Sequence, residues 1–447
     1  MAESTPKPYD LTIFGASGFT GKYVIREALK FLNTPSSPLK TLALAGRNPS
    51  KLTQSLNWAS PSPPSPSSIS IIKADISDPS SLNSLCTQSK VLLNCVGPFR
   101  LYGEPVVKAC VENGCDYLDI CGEPEFMEKM EALYYEKAVE RGVLVVSACG
   151  FDSIPAELGL MFNSRQWVGE GMLNNVEAYL NLESDKKIVG NFGTFESAVL
   201  GIANMDKLME LRKSRPKRAS LKIPGSRPPK GPAIEHQKNL GLWAVRLPSA
   251  DATVVRRTLT ILAENPEGLP GVDESEEAIN KRKSFWATVK PAYFGVKLST
   301  KSPLGLITSI TTGLFLGLFG KFSFGRWLLL KFPSLFSLGW FRKTGPTEAE
   351  VESASFKMWF VGRGYSNTGA EKPDMEIVTR VMGPEIGYVA TPILIVQSAL
   401  ILLGKRGELP KGGVYPPGIV FGATDLQERL QENGISFDVV SKSSISA

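Results

Sequence analysis

Three glycines near the start of the chain, Gly15, Gly18 and Gly21, are spaced to hold a phosphate against the backbone. They follow the alternating apolar residues Tyr9, Leu11 and Ile13, which suit a short buried strand. A helix-compatible run, Lys22 to Leu32, comes next. Strand, GxxGxxG turn and helix in that order read as a dinucleotide-binding turn, although a glycine triplet alone also suits an ordinary strand-to-helix connection. Gly15 permits the tight turn, Gly18 lets the backbone approach a pyrophosphate, and Gly21 lets helix and strand pack closely. The unpaired N–H groups at the helix start present partial positive charge to the phosphates. The candidate cradle is therefore Gly15, Ala16, Ser17, Gly18, Phe19, Thr20 and Gly21.

A second set of residues concerns which dinucleotide. The apolar run Lys40–Ala45 reads as a second strand, and Arg47 follows it, with Lys51 one turn on. An acidic residue here would bind the ribose 2′-hydroxyl of NAD, whereas an arginine suits the 2′-phosphate of NADP. NADP is the expected cofactor and NAD the less favoured one; a solvated arginine after a strand is the bland alternative. Asp75, ending the strand Ile69–Asp75, stands where such folds approach the adenine, or else caps a helix. Gly97 and Pro98 end the apolar strand Val91–Val96, and a glycine there allows close approach of the dinucleotide.

The candidate catalytic groups are Tyr102, Asp119, Glu123 and Asp152. Asp119 and Glu123 follow one late strand and Asp152 another, and ligands of open α/β sheets bind at the carboxyl ends of strands. Ion pairing is the structural alternative for Asp119 and Glu123, and helix capping for Asp152 and Ser153. Tyr102 is a candidate proton donor shortly after the fourth strand. Tyr293 and Lys297 have the YxxxK spacing of reductase pairs but lie in a membrane-like region, so they are set aside. No metal site is expected: there is one histidine, His236, in a basic proline-rich stretch, which also excludes a Ser-His-Asp hydrolase.

These residues need a scaffold to hold them. Strand-like segments alternate with helical ones, including Glu104–Asn113 and Pro124–Arg141, giving six strands in the first 150 residues. That is a complete doubly wound, Rossmann-type dinucleotide-binding domain. Interrupting it, Ser60–Ser68 is a proline- and serine-rich surface loop. After residue 151 the pattern changes to strand-like alternation at 176–182, Thr253–Leu262, Ser355–Gly362 and Met375–Met382, without a helix after each. The fold class is α/β: an N-terminal Rossmann domain (1–150) and a second α+β domain of mainly antiparallel sheet (151–277, completed by 348–447). Gly193–Arg212 is expected as one amphipathic helix across that sheet.

Between the two parts of the second domain, residues 278–347 contain no Asp or Glu, eleven Lys/Arg and thirteen aromatic residues. Ser302–Gly320 is uncharged and is followed by aromatics separated by single basic residues. Membrane interfaces select that combination. Nineteen residues are marginal for a span, and a span would separate the strand Ser355–Gly362 from the domain that needs it. A hydrophobic and basic insertion dipping into one leaflet or a lipid droplet is the expectation, with an interdomain or dimer surface as alternative. The stretch Arg212–Lys238 carries nine Lys/Arg against one Glu and reads as an exposed loop, without aromatics to stack nucleic-acid bases. The apolar helix Thr391–Leu403 is expected as buried core.

Of 447 residues, 43% are hydrophobic and 21% charged, which excludes disorder of the whole chain. All six cysteines fall in the first third without a CxxC pair, indicating reduced thiols rather than a secreted disulfide framework. The N-terminus, Met1–Pro8, is too short and polar for a signal peptide and lacks the Arg-rich character of a transit peptide, so a mitochondrial location stays open without support.

GASGFTG (15–21), NCVGPF (94–99), YLDICGEPEF (117–126), GFDSIPAELG (150–159) and GGVYPPGIVFG (412–422) together resemble the saccharopine dehydrogenase-like oxidoreductases across nearly the whole chain. The resemblance implies a Rossmann domain, an α/β substrate domain and C-terminal segments returning to the first domain. Within the family the chain is similar to the membrane- or lipid-droplet-associated branch and to the trans-acting enoyl reductases of bacterial lipid synthesis. The implied function is NAD(P)H-dependent reduction of a C=N, C=C or C=O bond in a small or lipid-derived substrate. A non-catalytic lipid-surface scaffold or redox sensor, and saccharopine dehydrogenase activity itself, are the alternatives. Expected partners are that substrate and a membrane or lipid-droplet surface reached through 278–347, with no nucleic acid; a homodimer stays open.

Overall fold

The computed structural model describes residues 6–60, 68–246 and 249–445. The core of the proline- and serine-rich loop, 61–67, lies outside the described residues, as do Met1–Thr5. Two compact units are formed, and the chain passes twice out of the first and back.

The first unit runs to Phe151 and is completed by Leu269–Ile279 and Gly387–Leu426. Its strands, numbered in chain order, are β1 (Tyr9–Phe14), β2 (Leu42–Gly46), β3 (Ile69–Lys73), β4 (Ser89–Asn94), β5 (Asp116–Asp119), β6 (Leu144–Val146) and β15 (Gly413–Tyr415). They form one parallel sheet in the order β15-β6-β5-β4-β1-β2-β3. Helices α1 (Phe19–Leu29), α2 (Pro49–Ala59), α3 (Pro79–Thr87), α4 (Phe99–Glu112) and α5 (Pro124–Arg141) make the crossovers. Sequestration from water on both faces is why β1, β2 and β4 read as apolar runs, with Leu11, Ile13, Leu42, Leu44, Leu92 and Leu93 wholly buried. Strand order reverses where β2 and β4 flank β1, which opens the ligand crevice of this fold at their carboxyl ends.

The late return supplies more than a cover. Strand β15 extends the sheet beside β6, α15 (Thr391–Gly404) is buried against α1 and β4, and α16 (Pro417–Phe421) is buried. Arg406 pins this segment, its Nε 2.7 Å from Asp116 Oδ2 and its NH2 donating to the carbonyls of Gly142 and Lys411. The stretch Ile386–Gly404 is long and apolar enough to cross a membrane by composition, but it is mostly buried within the protein.

The second unit comprises Asp152–Gly268, Asn280–Ile386 and the chain from Gln427. Its sheet has the order β16-β14-β13-β7-β11-β10-β9. These strands are β7 (Met172–Ser184), β9 (Ile234–Gln237), β10 (Leu242–Val245), β11 (Tyr293–Thr300), β13 (Ala354–Tyr365), β14 (Met375–Pro384) and β16 (Ser436–Ser444). Every pairing is antiparallel except β7 with β11. Helix α6 (Ile154–Ser164) packs on β13 and β14, fixed by Asn163 Nδ2 donating to the carbonyls of Phe360 and Ile377. Short elements complete the unit: the ladder β8 (Gly190–Asn191) with β12 (Phe341–Arg342), α14 (Glu348–Glu352) and α17 (Leu426–Glu432).

Five sequence expectations are corrected. Thr253–Leu262 is not a strand but the body of helix α9 (Ala250–Glu264). Its β-branched residues suggest a strand, yet Val254, Val255, Thr258, Leu259 and Ile261 are buried at helical spacing behind an N-cap at Ser249. Gly193–Arg212 is two helices, α7 (Phe192–Ala203) and α8 (Met205–Ser214), broken at Asn204. Helix α4 starts at Phe99 rather than Glu104 and carries Pro105 in its second turn, where the missing N–H leaves the Leu101 carbonyl without its helical donor. Lastly, Tyr293 and Lys297 belong to the sheet: β11 lies between β7 and β10, so the hydrophobic insertion begins only after residue 300. Helix α10 (Glu276–Thr288) precedes it, and His236 lies on β9 against Trp243 rather than in a loop.

What remains of the insertion is α11 (Pro303–Phe319), α12 (Ser323–Lys331) and α13 (Pro333–Phe336). With α7 they enclose a small core of Phe195, Val199 and Leu329, against which Leu316, Phe319, Phe336 and Phe341 pack. Helix α11 is apolar on both faces, burying Leu306 on one and exposing further leucines on the other. Ser309 and Thr312 are buried, whereas Leu304, Ile307, Leu314 and Leu318 point outward, Leu304 at 71% exposure. Phe322, Phe324, Trp327 and Leu335 continue the outward apolar surface.

Candidate functional site

The glycine turn closes as its spacing requires. Gly15 adopts φ +81°, its N–H donates to the Ala45 carbonyl, and the Gly18 N–H donates back to the Gly15 carbonyl at 2.8 Å. A Cβ on Gly15 would fall 2.6 Å from Val96 Cγ2, and one on Gly21 would fall 2.3 Å from the Gly15 carbonyl oxygen. Gly15 therefore lets the loops after β1 and β4 meet, and Gly21 lets α1 start against the turn. Gly18 is the N-cap of α1 and supplies no capping side chain, so the first N–H groups of α1 are not satisfied by a side chain there. Ser17 and Gly18 are exposed and Thr20 is half-buried, while Ala16 is wholly buried. Phe19 turns away from the loop: its ring meets the buried Tyr388 edge-on at 4.8 Å, and Lys22 Nζ lies 4.7 Å from its centroid.

Arg47 and Lys51 are exposed at the end of β2 and the start of α2. Asn48 caps that helix by accepting from the Lys51 N–H, leaving the Lys51 ammonium free of the cap. Asp75 accepts from the N–H and hydroxyl of Ser77, which hold its carboxyl below the usual range, and Arg47 adds to the same effect by charge. Gly97 is exposed, and a Cβ there would make only ordinary contact with Phe99, so this position does not demand glycine. Pro98 is buried and stands at the N-cap of α4.

The acids at the end of β5 have structural partners. Asp119 is wholly buried; its Oδ1 accepts from the N–H groups of Cys121 and Ala148, and its Oδ2 accepts from the Ser147 hydroxyl. Desolvation outweighs these hydrogen bonds and pushes its carboxyl up to about 6. Glu123 is buried and accepts from the N–H groups of Phe99 and Arg100, capping α4, whose own N-cap residue is a proline. Asp119 and Glu123 thus hold the turns after β5, β6 and β4. Tyr102 is in the first turn of α4 at 41% exposure.

Asp152 belongs to the second unit, immediately before Ser153, the N-cap of α6. There the structure adds a residue the sequence reading missed. Asp251, in the first turn of α9, is buried; its Oδ2 accepts from Ser249 Oγ, and the buried Ser153 hydroxyl lies beside its carboxyl. Burial first, then the charge of Asp152, pushes the Asp251 carboxyl up to about 8. Glu157, buried in the first turn of α6, accepts from the Thr258 hydroxyl of α9. Ser249 followed by an acid two residues on is a helix-start signature that could have revealed α9 and Asp251.

Residues 11–146 match the model of the saccharopine dehydrogenase NADP binding domain. The "Probable mitochondrial saccharopine dehydrogenase-like oxidoreductase" of Arabidopsis thaliana is 66% identical, over 98% of each chain. The chain belongs to the saccharopine dehydrogenase-like oxidoreductases. A relative named "Lipid droplet localized protein", from Caenorhabditis elegans, is 34% identical over 97% of this chain and 99% of its own. Among solved structures, apo saccharopine dehydrogenase (L-Glu forming) from Saccharomyces cerevisiae matches with a TM-score of 0.50 and 12% identity, covering 97% of this chain and 100% of that one. At that identity the match speaks for the fold, an NADP-binding Rossmann unit with a second unit of mixed, mostly antiparallel sheet. NADP is the family's cofactor, and the glycine turn, the helix start without a capping side chain and the cations after β2 fit it.

Proposed function

We propose that the chain reduces a C=N, C=C or C=O bond of a small or lipid-derived substrate with NADPH, at a membrane or lipid-droplet surface. The redox half rests on the glycine turn, where a Cβ at either Gly15 or Gly21 would collide with the loop. Gly15 to Gly21 would hold the pyrophosphate, and Arg47 with Lys51 the 2′-phosphate. The bound cofactor supplies hydride; the protein supplies orientation and electrostatics. Asp119 and Glu123 keep the loops around the β4 and β5 ends in place, and Asp152 and Tyr102 remain the candidate groups for contact with substrate.

The lipid half rests on the outward apolar face of α11. Water would favour Leu304, Ile307, Leu314 and Leu318 inside, yet all four are exposed while Ser309 and Thr312 are buried beside Leu306. Lys301, Lys321 and Lys331 flank the outward apolar surface, as interfacial segments require. The name of the worm relative supports the same reading.

Fluorescence titration with NADPH and NADH tests the redox half. Tighter NADPH binding that falls about tenfold or more toward the NADH value in Arg47→Ala fits the loss of a charged phosphate contact. Absence of saturable NADPH binding by the folded protein overturns it. Flotation with phospholipid vesicles tests the other half: wild type floats and a Leu304→Glu, Ile307→Glu, Leu318→Glu variant does not. Equal flotation of both refutes the assigned surface.

A further inference from the structure

The outward apolar surface of α11 and α12 carries charge of one sign. No acid occurs between residues 278 and 347, so the cations there have no carboxylate nearby in the chain. Lys301 and Arg342 find partners outside that stretch, Glu183 and Glu350. Arg326 is taken up by the end of α11, its NH1 donating to the carbonyls of Gly320 and Lys321 at 3.3 and 3.0 Å. Lys343 lies over Phe192 of α7, its Nζ 5.6 Å from the ring centroid. Lys321 and Lys331 remain, exposed and without a carboxylate partner among the described residues. Lys321 directly precedes the exposed Phe322. Lys331 Nζ lies 4.6 Å from the Trp327 ring centroid and 5.7 Å from that of Phe332. Trp327 stacks on Phe324 with centroids 5.8 Å apart, and all of these rings are exposed.

A face of this kind needs an occupant that is apolar in the middle and anionic at the rim. A purely apolar cover would strip water from two ammonium groups and return no counter-charge. A second copy related by a two-fold axis meets the same patch on its partner, so lysines of like sign would be gathered into one apolar contact. An anionic leaflet meets both demands. Leu304, Ile307, Leu314 and Leu318 enter its acyl boundary, and aromatic rings with ammonium groups beside them sit at headgroup level. We propose that α11 and α12 dock on a leaflet containing anionic phospholipid, with Lys321 and Lys331 against its headgroups. The proposal rests on the lipid-surface reading and adds to it a headgroup preference carried by these two lysines.

Co-sedimentation of the full chain with vesicles of phosphatidylcholine alone, and of phosphatidylcholine mixed with phosphatidylserine, tests the preference. Wild type should bind the mixed vesicles about twentyfold more tightly, because each lysine near an anionic surface is worth about fivefold. That gain should shrink as salt is raised. Lys321→Glu, Lys331→Glu should lose the preference, and Lys321→Arg, Lys331→Arg should keep it. A preference unchanged in the glutamate variant overturns the assignment of these lysines. Trp327→Phe isolates α12: bromines on the acyl chains near the headgroup should quench the tryptophan fluorescence of wild type more than that of the variant. Equal quenching overturns the docking of α12. Self-association without lipid that is lost in Leu304→Glu, Ile307→Glu, Leu318→Glu would assign the face to a second copy and overturn the proposal. Equal binding of wild type to both kinds of vesicle overturns the anionic preference and leaves the lipid-surface reading standing; folded wild type that binds neither sinks both.

Discussion

Replacing Asp119 by Asn isolates the energetics of one buried acid. Asp119 has no exposed surface and pairs with two backbone N–H groups and the Ser147 hydroxyl, and desolvation raises its carboxyl from 3.8 to about 6. Because the raised value means tighter proton binding in the folded chain, the protonated acid favours the fold at low pH. That contribution disappears as the pH rises from about 4 through 6. With 3.8 for the unfolded chain and about 6 for the folded one, the linkage relation gives about 2 kcal/mol between roughly pH 4.5 and 7.5. Asparagine keeps an acceptor for the Cys121 and Ala148 N–H groups and does not titrate. The stability difference, wild type minus Asp119→Asn, should therefore decline by about 2 kcal/mol across that range, equivalent to nearly thirtyfold in the folding constant. Urea unfolding at closely spaced pH values measures it, and subtraction cancels the other titrating groups because both proteins carry them. A difference that stays flat, or rises with pH, would refute the idea that Asp119 is desolvated in its charged form.

Three further outcomes follow from local geometry. Gly21→Val should abolish NADPH binding and lower stability, since even the first side-chain carbon falls 2.3 Å from the Gly15 carbonyl; retained affinity in a titration would mean the turn can open. Glu123→Ala should cost about 1–3 kcal/mol in chemical unfolding by leaving the Phe99 and Arg100 N–H groups without their acceptor, and a change under a few tenths of a kcal/mol would show that water replaces it. Arg406→Ala should speed proteolysis within Leu409–Gly422, because the guanidinium ties that return to Asp116 and Gly142; an unchanged cleavage rate would assign its anchoring to apolar packing instead.

The nucleotide half of this protein was legible because its signals are local. A glycine triplet between strand and helix needs no distant residue to explain it, and apolar runs announce strands covered on both faces. The cation Arg47 in place of an acid likewise pointed to NADP before any fold was drawn. Local pattern misled where the same residues serve two periodicities. Thr, Val and Ile at 253–262 suit a strand, and only burial against the sheet of the second unit selects the helix. The acid-free, aromatic-rich stretch from 278 reads as one hydrophobic insertion, although its first part includes a central strand whose partners, β7 and β10, lie far away in sequence.

The sequence by itself determined the cofactor turn, the alternation of the first 150 residues and the concentration of apolar and basic residues after 300. Each is fixed by spacing or composition within a few turns of chain. Tertiary structure alone decided that Glu123 caps α4, that β15 joins the first sheet beside β6, and that Asp251 stands buried where α9 packs on α6. Those facts depend on desolvation and on hydrogen-bond partners tens to hundreds of residues apart, which a linear pattern does not record.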